Sequence, residues 1–556
     1  MSIETVYTNG KVVTVDREFS LAAAFAVRDG VFTAVGGNDE VSELAGAGAR
    51  VVDLGGQMVL PGFVDAHAHS VYRGIGDAAE PSLADAVSVA DIVARIGEAA
   101  AHANPGAWIV TSPIGEPPDF FGLPEGLAEG RWPTRDDLDA VAADNPVCVP
   151  TSAYWPHPSV FNSAALTRLG VTRDTPEEPG VRIVRDAAGE PTGVIHGLTF
   201  YNPSRLFGRL MSLLPGTPGR TTRDAIARAL TENIAVGVTS VYEGHGNTFT
   251  ADLRALRDAG RLACRVVATY EVPVGRPDVD MGTWLSSLTD AAGEGSGDDL
   301  LKVVGVTVSL DGPTHFGRSA MSRPYLGTDG ELGNGSSRLS TVDLADLGRL
   351  AVRHNLRLNV VASGDAGCGI AVDALEAVHR ETPLTGRRWV AQHFHHATRE
   401  QIGRLAAMGF AAQVCAGVDY ARGEEVYVKR LPGDLWEHVS PLRWWIDAGV
   451  PIALASDGAH YDPMFQLWAA LRRIDARSGR SLLTPAKTVT REEAIRAYTA
   501  GGAAVLGSPG KIGSIETGKL ADFVVLDRDI LDCPVDEIRR TRVISTVLGG
   551  AVVHEI

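Results

Sequence analysis

Eight short apolar, β-branched runs recur along the chain. They are VLPGFVDAH (59–67), GVTSVY (237–242), RVVATYEV (265–272), KVVGVTVSL (302–310), NLRLNVVA (355–362), RWVAQH (388–393), GFAAQV (409–414) and VPIALASD (450–457). Stretches with helical periodicity lie between them, among them TRDAIARALTENIAVG (222–237), DLADLGRLAVRHN (343–355), GIAVDALEAVHR (369–380), REQIGRLAAMG (399–409) and TREEAIRAYTAGGAAVLG (490–507). Continuous apolar strands alternating with helices predict a parallel sheet covered by helices. Eight such units favour a TIM-like (β/α)8 barrel, interrupted by an insertion at about 72–215 that is rich in Pro, Gly and Asp. An open doubly wound sheet is the competing fold. It predicts one crevice at a switch point, whereas here polar residues end many different strands.

The two ends of the chain read differently. TVYTNGKVVTV, AAAFAVRDGVFTAVG and ARVVDLGGQMVLPG alternate around Asn-Gly, Asp-Gly and Gly-Gly turns, and GSIETGKLADFVVLDRD and RVISTVLGGAVVHE do the same at the other end. Neither segment carries enough apolar side chains for a core of its own. The expectation is one small β-sandwich built from both termini, residues 1–58 and 509–556, around a barrel at 59–508.

Composition narrows the class. The 556 residues are 45% hydrophobic and 21% charged, as in a packed protein, and 51 Lys+Arg against 68 Asp+Glu give a net charge of −17. The nearest candidate for a basic patch, RRW at 387–389, is short and suits a helix-to-strand junction, so no nucleic-acid surface is expected. Five scattered cysteines without a CxxC pair fit a reducing compartment, and no apolar run approaches a membrane span. The expectation is a cytoplasmic enzyme of a small molecule, off the membrane, with a homodimer as the default assembly.

The strand ends carry the chemistry. His67 and His69 in DAHAHS point to one side of an extended chain, with small alanines between them. His393 ends RWVAQH, and Asp457 ends IALASD, where an unpaired carboxylate would be costly. Three imidazoles and one carboxylate suit one divalent metal ion, zinc first and iron or manganese as alternatives. Such an ion acidifies a bound water, and Asp457 is placed to move its proton, either as a ligand or beside the metal. His395 and His396 either refill a ligand position or orient substrate. His157, in YWPHPSVFN, reaches from the insertion as a substrate-binding or acid group, with Tyr154 and Trp155, and Phe120 and Phe121, as an apolar wall. His460 and Tyr461 are rim candidates, and Tyr242, Glu243 and His245 are pocket candidates by position. Asp365 is either a helix cap or a partner that holds a histidine ligand.

These motifs resemble the amidohydrolase superfamily, in its YtcJ-like branch (amidohydrolase family 3). MVLPGFVDAHAH, HPSVFNSAAL, GEPTGVIHG, SLDG, SGDAGCGIAVDALEAV, the His393 segment, ASDG and GSIETGKLADFVVLD follow in family order over nearly the whole chain. The resemblance implies a metal-dependent hydrolase of amide or other C–N bonds. It makes His67 and His69 first-strand ligands, His393 the sixth-strand ligand, Asp457 the acid/base and His157 the insertion histidine that faces substrate, and it places Asp311 of SLDG at the substrate. Two positions depart from the branch: Thr307 stands where a lysine is usual and Val361 where a histidine is usual. Lys302 has the wrong spacing and facing to substitute. One metal on His67, His69 and Asp457 follows, with His393 as fourth ligand or free imidazole, unless His395, His396 or His245 refills the vacancy. A non-hydrolytic mononuclear enzyme (decarboxylase, C–C lyase or isomerase) and a silent metal-binding protein are the alternatives.

Overall fold

The computed structural model describes all residues except 1–4, 45–47, 78, 116–121, 153–154, 200, 203, 216–218, 246–248, 277, 293–296 and 329. Eight strands form its central sheet: β1 (Phe63–Asp65), β2 (Val238–Glu243), β3 (Arg265–Glu271), β4 (Leu301–Ser309), β5 (Arg357–Ala362), β6 (Val390–His393), β7 (Ala411–Val414) and β8 (Ile452–Leu454). Each falls inside one of the eight apolar runs or within a residue of it. The sheet order follows the chain from β1 to β8, and all seven ladders are parallel. The seam between β8 and β1 closes just beyond the strands, where Asp457 N–H donates to the His67 carbonyl at 2.9 Å. Ser456 N–H adds a bond to the Asp65 carboxylate at 3.1 Å. The result is a near-closed parallel barrel, and the open-sheet alternative falls away.

Helices cover the barrel as the periodicity predicts: Gly219–Ala235, Thr341–Arg353, Asp365–Glu381 and Arg399–Ala407. Ser340 with Asp343, and Thr398 with Gln401, form capping boxes that fix where two of them start. The 490–507 stretch divides into Arg491–Ala497 and Ala500–Val505, because Thr499 leaves helical geometry at φ −132°, ψ −89°.

Between β1 and β2 the chain builds a separate five-stranded sheet, ordered 182–185, 191–196, 159–161, 147–149, 109–110. The two chain ends share another sheet: Phe523–Leu526 runs antiparallel to Met58–Pro61, with Phe523 opposite Pro61. A four-stranded sheet from residues 5–53 packs against it. Tyr7 stacks on Phe25 at 4.8 Å between ring centroids, and Phe25 meets Phe523 edge-on at 4.9 Å, so residues from both termini fill one small core.

Behind the β6–β8 end of the barrel lies a buried ion triad. Asp419 accepts from Arg473 Nη1 at 3.1 Å and from Lys487 Nζ at 3.0 Å, and all three side chains are shut off from solvent. Asp419→Ala would leave two cations buried without their shared carboxylate. We expect a loss of about 3–5 kcal/mol in urea unfolding; a change under ~1 kcal/mol would contradict this reading of the triad.

Candidate metal centre

The barrel brings the strand-end residues to one point. β1 ends at Asp65, the chain bends at Ala66 and His67, and a helix begins at Ser70, with the small, buried Ala66 and Ala68 on either side of His67. His67 Nε2 and His69 Nε2 stand 3.0 Å apart. Asp457 Oδ1 lies 3.4 Å from His69 Nε2, 3.6 Å from His67 Nε2 and 3.9 Å from His393 Nε2. His69 (φ 48°), His393 (φ 67°) and Asp457 (φ 57°) all occupy the left-handed region, which side-chain-bearing residues adopt only when the surroundings force it. The backbone is bent at each strand end in the way that turns these donors inward.

Electrostatics favours a cation here. Burial first, then the neighbouring His69 and His393, hold His67 well below the usual imidazole range, and burial pushes His393 down to about 4. Burial pushes Asp457 up, but His393, His69 and His67 outweigh it and keep its carboxyl well below the usual range. His69 moves the other way: burial pushes it down, but its bond to Asp457 and the Asp457 and Glu243 charges hold it above the usual imidazole range, so it carries a proton that metal binding would displace. Among the described residues two donor groups could hold an ion, His67 with His393 and Asp457, and His67 with His69 and His245, and His67 is common to both. The N/O donor set suits zinc or a related divalent ion.

His245 is drawn into this cluster. Its ring stacks on His69 at 5.1 Å and 6°, and its Nδ1 lies 3.2 Å from Glu271 Oε2, which leaves Nε2 as the other ring nitrogen. His395 sits behind His393: its Nε2 is 3.1 Å from His393 Nδ1, and its own Nδ1 is 3.0 Å from Ser440 Oγ. Both of its ring nitrogens are thus engaged away from a substrate. His396 Nε2 lies 3.3 Å from Thr314 Oγ1, and burial pushes its ring down to about 4. His460 stacks on Phe465 at 3.7 Å. Tyr461 lies under the Arg73 guanidinium at 3.8 Å.

Asp311 is buried and its carboxylate is held by three backbone bonds. It accepts from Ser363 N at 2.8 Å, Gly364 N at 2.9 Å and Ala320 N at 2.9 Å, tying the loop after β4 to the end of β5. Asp365 is the first residue of its helix rather than the cap, which is Gly364, and its carboxylate binds the Ser322 backbone and hydroxyl. His157 packs against Trp132 of the insertion at 4.8 Å. Trp155 is buried and lies parallel to the His315 ring at 6.4 Å. Tyr154, Phe120 and Phe121 lie outside the described residues.

The positions of the two departures are filled by neutral groups. Thr307 Oγ1 is 3.0 Å from the Tyr242 hydroxyl and 2.7 Å from Thr269 Oγ1, and Asn359 Nδ2 donates to Tyr242 at 2.6 Å. Lys302 lies at the opposite end of β4, paired with Asp299 at 3.6 Å, so the strand direction removes it from the cluster.

Three residues near the centre escaped the sequence reading. His315, in the loop after β4, is buried, and neither ring nitrogen has a partner among the described residues. Burial and then the Arg422 charge hold it well below the imidazole range. Arg422, buried after β7, acts electrostatically on His393 and His395 as well. Tyr201 packs on Phe316 at 5.0 Å and feels the Asp457 charge. The nearest sequence signal was the histidine in GPTHFG, four residues past the Asp of SLDG.

A (β/α)8 barrel whose C-terminal strand ends converge histidines and a carboxylate on one metal position is the architecture of a metal-dependent enzyme class. The amidohydrolase family model matches residues 50–554, and the chain belongs to that family. It is 29% identical to the N-substituted formamide deformylase of Arthrobacter pascens over 98% of this chain and 97% of that one. It is 24% identical to the putative amidohydrolase YtcJ of Bacillus subtilis over the full length of both. Among solved structures, an uncharacterized metal-dependent hydrolase from Pyrococcus horikoshii aligns with a TM-score of 0.73 at 22% identity, covering 96% of this chain and 99% of that one.

Glu243 supplies a pH test. Buried at the end of β2, its carboxylate accepts from Ser70 N at 2.7 Å, yet burial pushes it up to about 7 from 4.5. A carboxyl raised in the folded state brings no penalty below the unfolded pKa and its full penalty above the folded one. In metal-stripped protein, Glu243→Gln should gain stability relative to the parent as pH rises from about 4.5 through about 7, approaching ~3 kcal/mol. Parallel stability–pH curves for the two proteins would refute this.

Proposed function

We propose that the protein hydrolyses an amide, cyclic amide or related C–N bond of a small organic molecule, using one divalent metal. The observation that carries the reading is the convergence of Asp457 Oδ1 on three imidazole Nε2 atoms within 3.9 Å. His67, His69, His393 and Asp457 would hold the ion, with zinc the first choice for these donors and iron or manganese next. When bound, the ion supplies a Lewis acid and an acidified water. The chain does the rest.

Asp457, an anion at the floor of the cleft, takes the proton from the attacking water and returns it to the leaving nitrogen. His395 is a positioning residue that orients the His393 ring from behind, itself held by Ser440. His245, steadied by Glu271, faces the substrate side of the cluster. Trp155, His315 and Tyr201 form the wall over it, and His157 contributes from the insertion. Asp311 and Asp365 shape the loops that carry this wall, and His396 and His460 pack beside them. Similarity to the N-substituted formamide deformylase makes N-substituted formamides the first substrates to try. Five free cysteines suit a reducing compartment such as the cytoplasm. Among the described residues no helix is long and apolar enough to cross a membrane.

The test is turnover of N-substituted formamides and lactams in 18O-labelled water. Label in the acid product is expected, with Asp457→Asn lowering kcat by about 10²–10⁴-fold. Release of CO2, or a product isomeric with its substrate, would overturn hydrolysis in favour of lyase or isomerase chemistry.

A further inference from the structure

A cavity of about 270 Å³ opens at the N-terminal mouth of the barrel, at the opposite end of the strands from the metal centre. It is formed where β4, β5 and β6 begin and where the chain leaves the Ala500–Val505 helix. Four of its lining residues are cationic: Lys302, Arg357, Arg387 and Arg388. None of the described lining residues is acidic. In a chain of net charge −17 this is a local reversal of sign. Asp299, 3.6 Å from Lys302 and just outside the lining, offsets part of this charge, and an anion bound in the cavity would offset the rest.

The cations are graded from fixed to available. Arg357, at the buried floor, is anchored through Nη2 on the Val505 carbonyl and through Nε on Asn359 Oδ1 at 3.2 Å. Arg388 is held at φ 58°, with Nη1 on the Gly507 carbonyl at 3.2 Å. A non-glycine residue in that region is strained, and the strain serves to set its side chain at the rim. Lys302 and Arg387 are half-buried and loosely engaged, Lys302 at 3.6 Å from Asp299 and Arg387 Nε at 3.4 Å from the Pro383 carbonyl. Trp389, which also lines the cavity, carries a buried indole N–H with no acceptor among the described residues. The guanidinium charges at the floor and rim, with the more loosely held Lys302 ammonium and Arg387 guanidinium, match the oxygens of a phosphoryl group.

We propose that this cavity is a binding site for a small phosphate-bearing anion, separate from the metal centre. The volume admits inorganic phosphate or a compact phosphomonoester and is too small for a long polyanion.

Calorimetric titration of the metal-loaded protein at constant ionic strength tests this, with orthophosphate and glycerol 3-phosphate as probes. One saturable site per chain is expected. Binding should weaken at least tenfold in Lys302→Gln/Arg387→Gln, whose side chains make few structural bonds, and a matched melting temperature would show that the variant folds. His67→Ala should retain binding, because the cavity is remote from the metal. Tighter binding of glycerol 3-phosphate assigns the site to an ester, and tighter binding of orthophosphate assigns it to the free ion. Absence of saturation with both probes, unchanged affinity in the double variant, or loss of binding in His67→Ala would overturn the proposal.

Discussion

One buried carboxylate ties the first barrel strand to the last. Asp65 Oδ1 accepts from His67 N at 3.2 Å and from Ser456 N at 3.1 Å, at a seam where β1 and β8 share no ladder among the seven recorded. Asp457 N completes the seam on the His67 carbonyl. The spacing between His67 and Asp457 is therefore set by backbone bonds, not left to flexible side chains. Burial pushes the Asp65 carboxyl up while these N–H donors favour its anion, so the group is costly to keep and strongly held where it is. The bent φ angles at His69 and Asp457 lie beside this closure, and His393 is held separately, its N–H donating to Gln413 Oε1 at 3.2 Å.

Two polar assemblies support the cluster from different sides. Tyr242, Thr269, Thr307 and Asn359 fill the barrel interior with hydroxyl and amide hydrogen bonds and bring no charge to it. Behind His393, the line runs through His395 and Ser440 to Arg473, whose Nη2 donates to the Ser440 carbonyl at 3.1 Å, and on to Asp419 and Lys487. The first assembly places only neutral groups beneath the centre. The second fixes the orientation of one imidazole.

Much of this was legible in the sequence, for physical reasons that can be named. A strand buried on both faces must be a continuous apolar run, and all eight barrel strands are such runs. The histidines of DAHAHS, the histidine of VAQH and the aspartate of ALASD stood out because polar groups at the ends of buried strands need a reason to be there. What remained hidden depends on contacts between distant segments. Asp311 read as a group facing substrate, but three backbone N–H donors from the ends of other elements hold its oxygens. His395 read as a spare ligand or a group orienting substrate, but its two ring nitrogens are engaged by His393 and by Ser440, 45 residues away. His315 had no pattern around it. Its importance comes from burial without a partner, which only the folded chain displays.

The central claim is a single metal held by residues from the first, sixth and eighth strand ends. Anomalous X-ray diffraction at the zinc, iron and manganese edges, on crystals of protein purified without added metal, tests it most directly. The account predicts one anomalous peak per chain, within bonding distance of His67, His69, His393 and Asp457, with the Tyr242–Thr307 network intact beneath it. Two peaks a few ångströms apart, or one peak away from these side chains, would contradict it.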